Sequence, residues 1–255
     1  MKRKRRTDTA AYDESVWHTR WTEISAARTL DPARRRKAVG RVMDRYWKCV
    51  YAYLRHKGNG HDVASDLVQG FFVKVLQREL IQQADAKKGR FRTYLLTALD
   101  RYVRDEHEKR SAKKRRPPGG VASLDAMEQL PPLPDAVRTP EQAYTYAWAL
   151  QLLDEVLADV EAQCRQARQQ PHWEVFRRTV VEPTLSGAQA PTMQALCEEL
   201  GSGTAKRTAA MNVTVKRRFR RILRAHVAPH VASEDDIDAE IRELMALLSN
   251  RNVGK

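Results

Sequence analysis

The side chains best able to do chemistry fall into three groups. The first is cationic. Residues 101–116 hold eight Lys or Arg against three carboxylates, and residues 206–224 hold eight with no carboxylate. Ammonium and guanidinium groups at that density bind phosphate, as a nucleic-acid backbone presents it. The second group is acidic and amide. Asp62, Asp66 and Gln69 stand at i, i+4 and i+7, which puts them on one face of a helix. Aspartate near a helix start is also favoured by the dipole alone. The third group resembles fragments of enzyme sites. Asp105, Glu106 and Glu108 are close in sequence but alternate with bases that pair with them. His226 and His230 are four apart, yet Pro229 lies between them and no third ligand is near. The GSGT run at 201–204 is too short for a phosphate loop and lacks its lysine. No enzyme is therefore expected: no catalytic residue, no metal and no cofactor.

Helices must position these groups, because almost every periodic segment has the helical period and no alternating strand pattern is found. The spacing predicts a helix from Pro32 to about His56, with Val39, Val42, Tyr46, Val50 and Tyr53 inward. A second runs from Asp62 to about Leu80. A third runs from Phe91 to about Lys114, with Phe91, Tyr94, Leu95, Ala98, Leu99, Tyr102 and Val103 as its apolar stripe. Arg92, Arg101, Arg104 and Arg110 lie off that stripe, as on a helix that rests against phosphates. The polar loop Gln83–Arg90, with Lys88 and Arg90 at its end, could edge a pocket for an unstacked base. Later, Thr192 caps a short helix that ends at Gly201, and a long basic helix follows to about Val227. Short helix, glycine turn and basic helix together read as a helix-turn-helix. Its second helix would offer Thr204, Lys206, Arg207, Thr208 and Asn212 to base edges. Lys216, Arg217 and Arg220 would hold phosphates.

The chain has 255 residues and a net charge of +14, with 42% hydrophobic residues. Six of the eleven prolines fall in 117–140. Proline removes a backbone donor and disfavours helix before it, so this stretch reads as an extended linker. The expected fold is all-α: two helical domains joined by a Pro-rich linker, plus an acidic C-terminal helix. The boundaries are a basic disordered arm at 1–11, a first domain at 12–116, the linker at 117–140, a second domain at 141–228 and an acidic extension at 229–255. In that extension Ile237, Ile241, Leu244, Met245 and Leu248 form an apolar stripe, expected to pack on one of the basic domains and to reduce unproductive DNA binding. No apolar run is long enough to span a membrane. The basic start Lys2–Arg6 leads into no apolar stretch, and Cys49, Cys164 and Cys197 have no metal or disulfide spacing. The expectation is a cytoplasmic protein.

The combination of segments is more specific than its parts. DVASDLVQGFFVKVL at Asp62–Leu76 resembles the core-polymerase-binding helix of extracytoplasmic-function sigma factors. GRFRTYLLTALDRYVRDEHEKR at Gly89–Arg110 resembles their promoter-melting, minus-ten-reading helix, and Thr192–Leu223 resembles their minus-thirty-five helix-turn-helix. The resemblance covers about Trp17 to Val227. Tyr46-Trp47 and Tyr51-Ala52-Tyr53 are similar to the planctomycete and myxobacterial subgroup. The turn Gly201–Thr204 departs from the hydrophobic-then-acidic pattern of many members.

The resemblance implies a transcription-initiation factor without covalent chemistry. Asp62, Asp66, Gln69 and Phe72 would dock on the clamp of the largest subunit of core RNA polymerase. Lys88, Arg90, Arg92, Arg101, Arg104 and Arg110 would meet the minus-ten DNA. Thr204, Lys206, Arg207, Thr208, Asn212, Lys216, Arg217 and Arg220 would meet the minus-thirty-five duplex. The implied partners are core polymerase and promoter DNA, with room for an anti-sigma factor or a regulatory kinase, and no membrane. The competing reading is a helix-turn-helix regulator that binds DNA without polymerase. It leaves the acidic-amide face and the first basic helix without a task.

Overall fold

The computed structural model describes residue 28 and residues 31–77, 79–85, 90–112, 137–231 and 234–249. Among the described residues the chain is helical, with no strand. The arm 1–11, residues 117–136 of the proline-rich stretch, and Lys88 lie outside them.

Helix α1 spans Pro32–His56. The Asp31 carboxylate caps it, accepting from the N–H groups of Ala33 and Arg34 at 2.9 and 3.3 Å. Pro32 takes the first helical position, where no N–H is needed. Helix α2 spans His61–Leu76 and α3 spans Glu79–Gln83. The single helix expected over Asp62–Leu80 is thus two. The Gln77 N–H closes on the carbonyls of Val73 and Lys74, and Leu80 sits on α3, where its carbonyl accepts the Tyr94 hydroxyl at 2.6 Å. Helix α4 spans Phe91–Ala112 and α5 spans Pro140–Gln166. A capping box starts α5: the Thr139 hydroxyl accepts from the Gln142 N–H, and the Gln142 side chain accepts from the Thr139 N–H.

Next come α6 (Gln170–Phe176), a π turn (Arg177–Val181) and α7 (Glu182–Ser186). Pro183 lacks an N–H, and its ring crowds the carbonyl four residues back, so a wide turn just before it relieves the conflict. Helices α8 (Met193–Leu200) and α9 (Ala205–Val227) follow. A 3₁₀ turn at Ala228–His230 leads to α10, Asp236–Ser249.

One hydrophobic cluster runs from Ala38 to Leu248. In α1, Cys49 to Leu54 are buried without a break. A helix apolar on every side needs neighbours on every side. They come from α2, from α4 through the Tyr46–Phe91 ring contact, and most extensively from α5. The helices on the two sides of the proline-rich stretch therefore meet along α1 and α5. Tyr144 of α5 lies wholly buried beside Tyr46 and Cys49, where burial pushes its phenol well up. Gly70 lets α2 approach α4, since a Cβ there would strike the Tyr102 hydroxyl. Of the α10 stripe, Ile237, Leu244 and Leu248 are buried against α5 and α9 and Ile241 partly so, whereas Met245 is 38% exposed.

Candidate nucleic-acid interface

The turn between α8 and α9 requires glycine twice. Gly201 and Gly203 have φ of 59° and 94°, in the left-handed region that side chains resist. Thr204 then caps α9, its hydroxyl accepting from the Arg207 N–H at 3.2 Å. Beneath the turn, the Ser202 and Thr208 hydroxyls pair at 2.6 Å, and Thr208 also donates to the Thr204 carbonyl at 3.1 Å. These bonds lock the angle at which α9 leaves α8.

From there the 3.6-residue period decides what faces out. Lys206, Arg207, Lys216, Arg217 and Arg220 are exposed, with no side-chain ion pair among the described residues. Thr208, Met211, Asn212, Val215, Ile222 and Leu223 are buried. The expected base contacts at Thr208 and Asn212 are therefore corrected. Thr208 is fully buried, and Asn212 points inward to donate to the Thr179 hydroxyl at 3.0 Å. Polarity suggested an outward position, but both residues share the face of Val215, which packs in the core. Val213 is 47% exposed among the cations. Three further bases of this helix serve the fold. Arg218 donates to the Cys164 sulfur and to Gln169, Arg221 donates to Gln163, and Arg224 pairs with Asp238. Near this face His172 stays neutral at pH 7, because burial and then the Arg218 and Arg207 charges lower its pKa.

The second basic region borders a cavity of about 1220 Å³. Lys74 of α2 and Gln77 just after it, Leu80 and Gln83 of α3, Asp85 and Arg90 form one wall. Thr93, Tyr94, Thr97, Ala98, Arg101, Tyr102 and Asp105 of α4 form the other. Arg101 is exposed at the edge. Burial raises the Tyr94 phenol against the pull of Arg101, so its hydroxyl remains a donor to Leu80. Arg104 is exposed but paired with Asp100. Arg110 lies on α4, near its end.

Asp100 is the hub of a polar cluster. It accepts from Lys57 at 2.7 Å and from Tyr53 at 2.8 Å, besides Arg104. The Lys57 bond first, then those of Arg104 and Tyr53, hold its carboxyl far below the usual carboxylate range. A group depressed on folding stabilises above its unfolded pKa, and loses that contribution as pH falls toward the folded value. The stability gap between the wild type and Asp100→Asn is therefore expected to be full above about pH 4 and to shrink steadily below it. Urea denaturation at stepped pH measures this.

Arg92 is the largest departure from expectation. Instead of lining a strand it is 5% exposed. Its guanidinium stacks over Trp148, 4.3 Å from the ring centroid, and pairs with Glu240 of α10. The Tyr144 hydroxyl donates to its carbonyl at 3.3 Å. Arg90, half-buried, pairs with Glu240 at 2.7 Å and Glu243 at 3.2 Å.

The outward face of α2 carries Asp62 and Asp66, both exposed, and Gln69, half-exposed. Phe72 is not among them. It is 2% exposed and packs edge-on against Phe71, on the α2 stripe with Val68 and Val75. The outward position near it belongs to Val73, 51% exposed and four residues beyond Gln69. The i+4 spacing from Gln69 is a sequence signal for Val73, whereas the segment resemblance named Phe72.

Among the described residues no group of three or more His, Cys, Asp or Glu is gathered as a metal would require. No described helix is long and apolar enough to cross a membrane. Cys49, Cys164 and Cys197 are buried, and among the described residues none is in a disulfide. Compared with known proteins, the chain matches no family model, no curated protein and no solved structure.

Proposed function

We propose that this chain is a sigma-type specificity subunit, which binds core RNA polymerase, carries it to particular promoters and helps to open the DNA. The observation that supports this most is the pairing of opposite surfaces on one unit. The acidic-amide face of α2, with Val73 at its end, adjoins the cavity between α2 and α4, whose edge carries Arg101, Arg90 and Lys74 beside Asp85 and Asp105. The first suits a basic protein partner. The second suits nucleic acid with a base out of its stack. The exposed cations of α9 supply a separate duplex contact. The resemblance of the α2, α4 and α8–α9 segments supplies the identity of the partners.

In this reading Asp62, Asp66, Gln69 and Val73 dock on the polymerase clamp. Arg101 and Arg104 approach the opened strand, and Lys206, Arg207, Lys216, Arg217 and Arg220 hold the upstream duplex. Opening is driven by capture of unstacked bases, each worth about 1–3 kcal/mol when it lies on an aromatic ring. Tyr94 and Tyr102 border the cavity but belong to the core stripe, Tyr102 being 7% exposed with Lys74 over its ring, so neither is assigned to this capture.

Run-off transcription with core polymerase and DNA from upstream of the chain's own gene tests the proposal, with core binding measured in the same mixture. A discrete start that needs both proteins is the expected result. Failure to bind core overturns the proposal. Tight binding of the free protein to intact duplex, without core, would favour the independent regulator.

A further inference from the structure

Resting on the nucleic-acid reading above, we infer that the acidic helix α10 is an internal competitor for Arg90, an autoinhibitory strap that must loosen before the cavity takes a phosphate-bearing ligand. Arg90 belongs to two sites at once. It lines the cavity between α2 and α4, and its guanidinium is held by Glu240 at 2.7 Å and Glu243 at 3.2 Å. A guanidinium pairs with carboxylate and phosphate through the same donors. While the two carboxylates occupy those donors, a phosphate cannot.

The strap has a fixed end and a loose one. Glu240 is fully buried, shared between Arg90 and the buried Arg92, so its removal would strand a charge in the core. Glu243 is half-exposed and meets only the outer side of the pair, at 3.2 Å from Arg90 and 3.9 Å from Arg92. Asp238, also exposed, ties the same helix to Arg224 of α9. Water and salt weaken the two outer contacts, so they are the ones that a polyanion can outcompete. The strap also bridges the cavity-bearing helix α4 and the DNA-facing helix α9.

The test uses the full chain and a fluorescent single-stranded DNA oligonucleotide, titrated at several salt concentrations. Asp238→Asn with Glu243→Gln removes the outer contacts and leaves Glu240 in place. Thermal unfolding confirms that the variant is folded. Binding is expected to tighten about three- to tenfold, and the salt slope to steepen by about 0.7, the value for one added phosphate contact on a single strand. Arg90→Ala should abolish that gain, so that the triple variant binds like Arg90→Ala alone. Unchanged affinity and slope in the double variant, with binding that Arg101→Ala still weakens, would overturn the strap while leaving the nucleic-acid face intact. Absence of binding by every form, at low salt as well, would overturn the nucleic-acid reading and the strap with it.

Discussion

Glu240→Ala is expected to lower the free energy of unfolding by about 3–5 kcal/mol, because it breaks a buried ion pair from one side. Glu240 has no exposed surface and Arg92 has 5%. Without that carboxylate, the Arg92 guanidinium has only Glu243 at 3.9 Å and cannot reach water without leaving Trp148. At about 2–4 °C per kcal/mol for a chain of this size, the midpoint should fall by roughly 10 °C. Denaturant titration followed by circular dichroism measures it. Glu243→Gln is the control. It removes an exposed contact and should change stability by less than about 1 kcal/mol. Replacing both buried partners, as Arg92→Met with Glu240→Leu, should recover much of the loss, since a well-packed apolar pair can replace a buried ionic one. Equal, small effects of Glu240→Ala and Glu243→Gln would mean that Arg92 finds solvent.

The second large effect concerns α9. Changing Lys206, Arg207, Arg217 and Arg220 together to alanine should weaken duplex binding by about three orders of magnitude at 0.1 M salt. The salt slope should flatten by about 0.9 for each phosphate that is no longer neutralised. These four side chains are exposed and make no ion pair among the described residues, so their removal should leave the midpoint of unfolding nearly unchanged. Asn212→Ala should do the reverse. It breaks the bond to Thr179 and should lower stability by about 1 kcal/mol with duplex affinity intact. Fluorescence anisotropy across a salt series, beside thermal unfolding, separates the two. A clear loss of duplex affinity in a folded Asn212→Ala variant would restore that residue to the DNA face.

The contrast between Arg207 and Asn212 shows where sequence reasoning stops. Both are polar and both lie on a helix whose ends are predictable. Thr204 and the glycine turn announce the start of α9, and its apolar run ends at Val227, as expected. Rotation about the helix axis is less legible, because a stripe containing Thr208 and Asn212 looks half polar until a partner hydroxyl appears on the π turn. Phe72 is misassigned for a related reason. The segment resemblance marks it as a contact, whereas its own stripe with Val68 and Val75 places it inside.

Local chemistry decided much of this protein from the sequence alone. Capping residues, proline positions and the 3.6-residue stripe of apolar side chains act within a few residues, so α1 begins at Pro32 and ends at His56 where those signals say it should. The all-helical class and the two basic segments are legible for the same reason. Only the tertiary structure decided which charges are available. Arg92 and Glu240 are 148 positions apart, and neither has a local feature that distinguishes it from its exposed neighbours. The meeting of α1 with α5 brings Trp148 under Arg92 and leaves space for α10 above it. Burial then makes pairing obligatory, because an unpaired charge out of water costs far more than any helix propensity can offset.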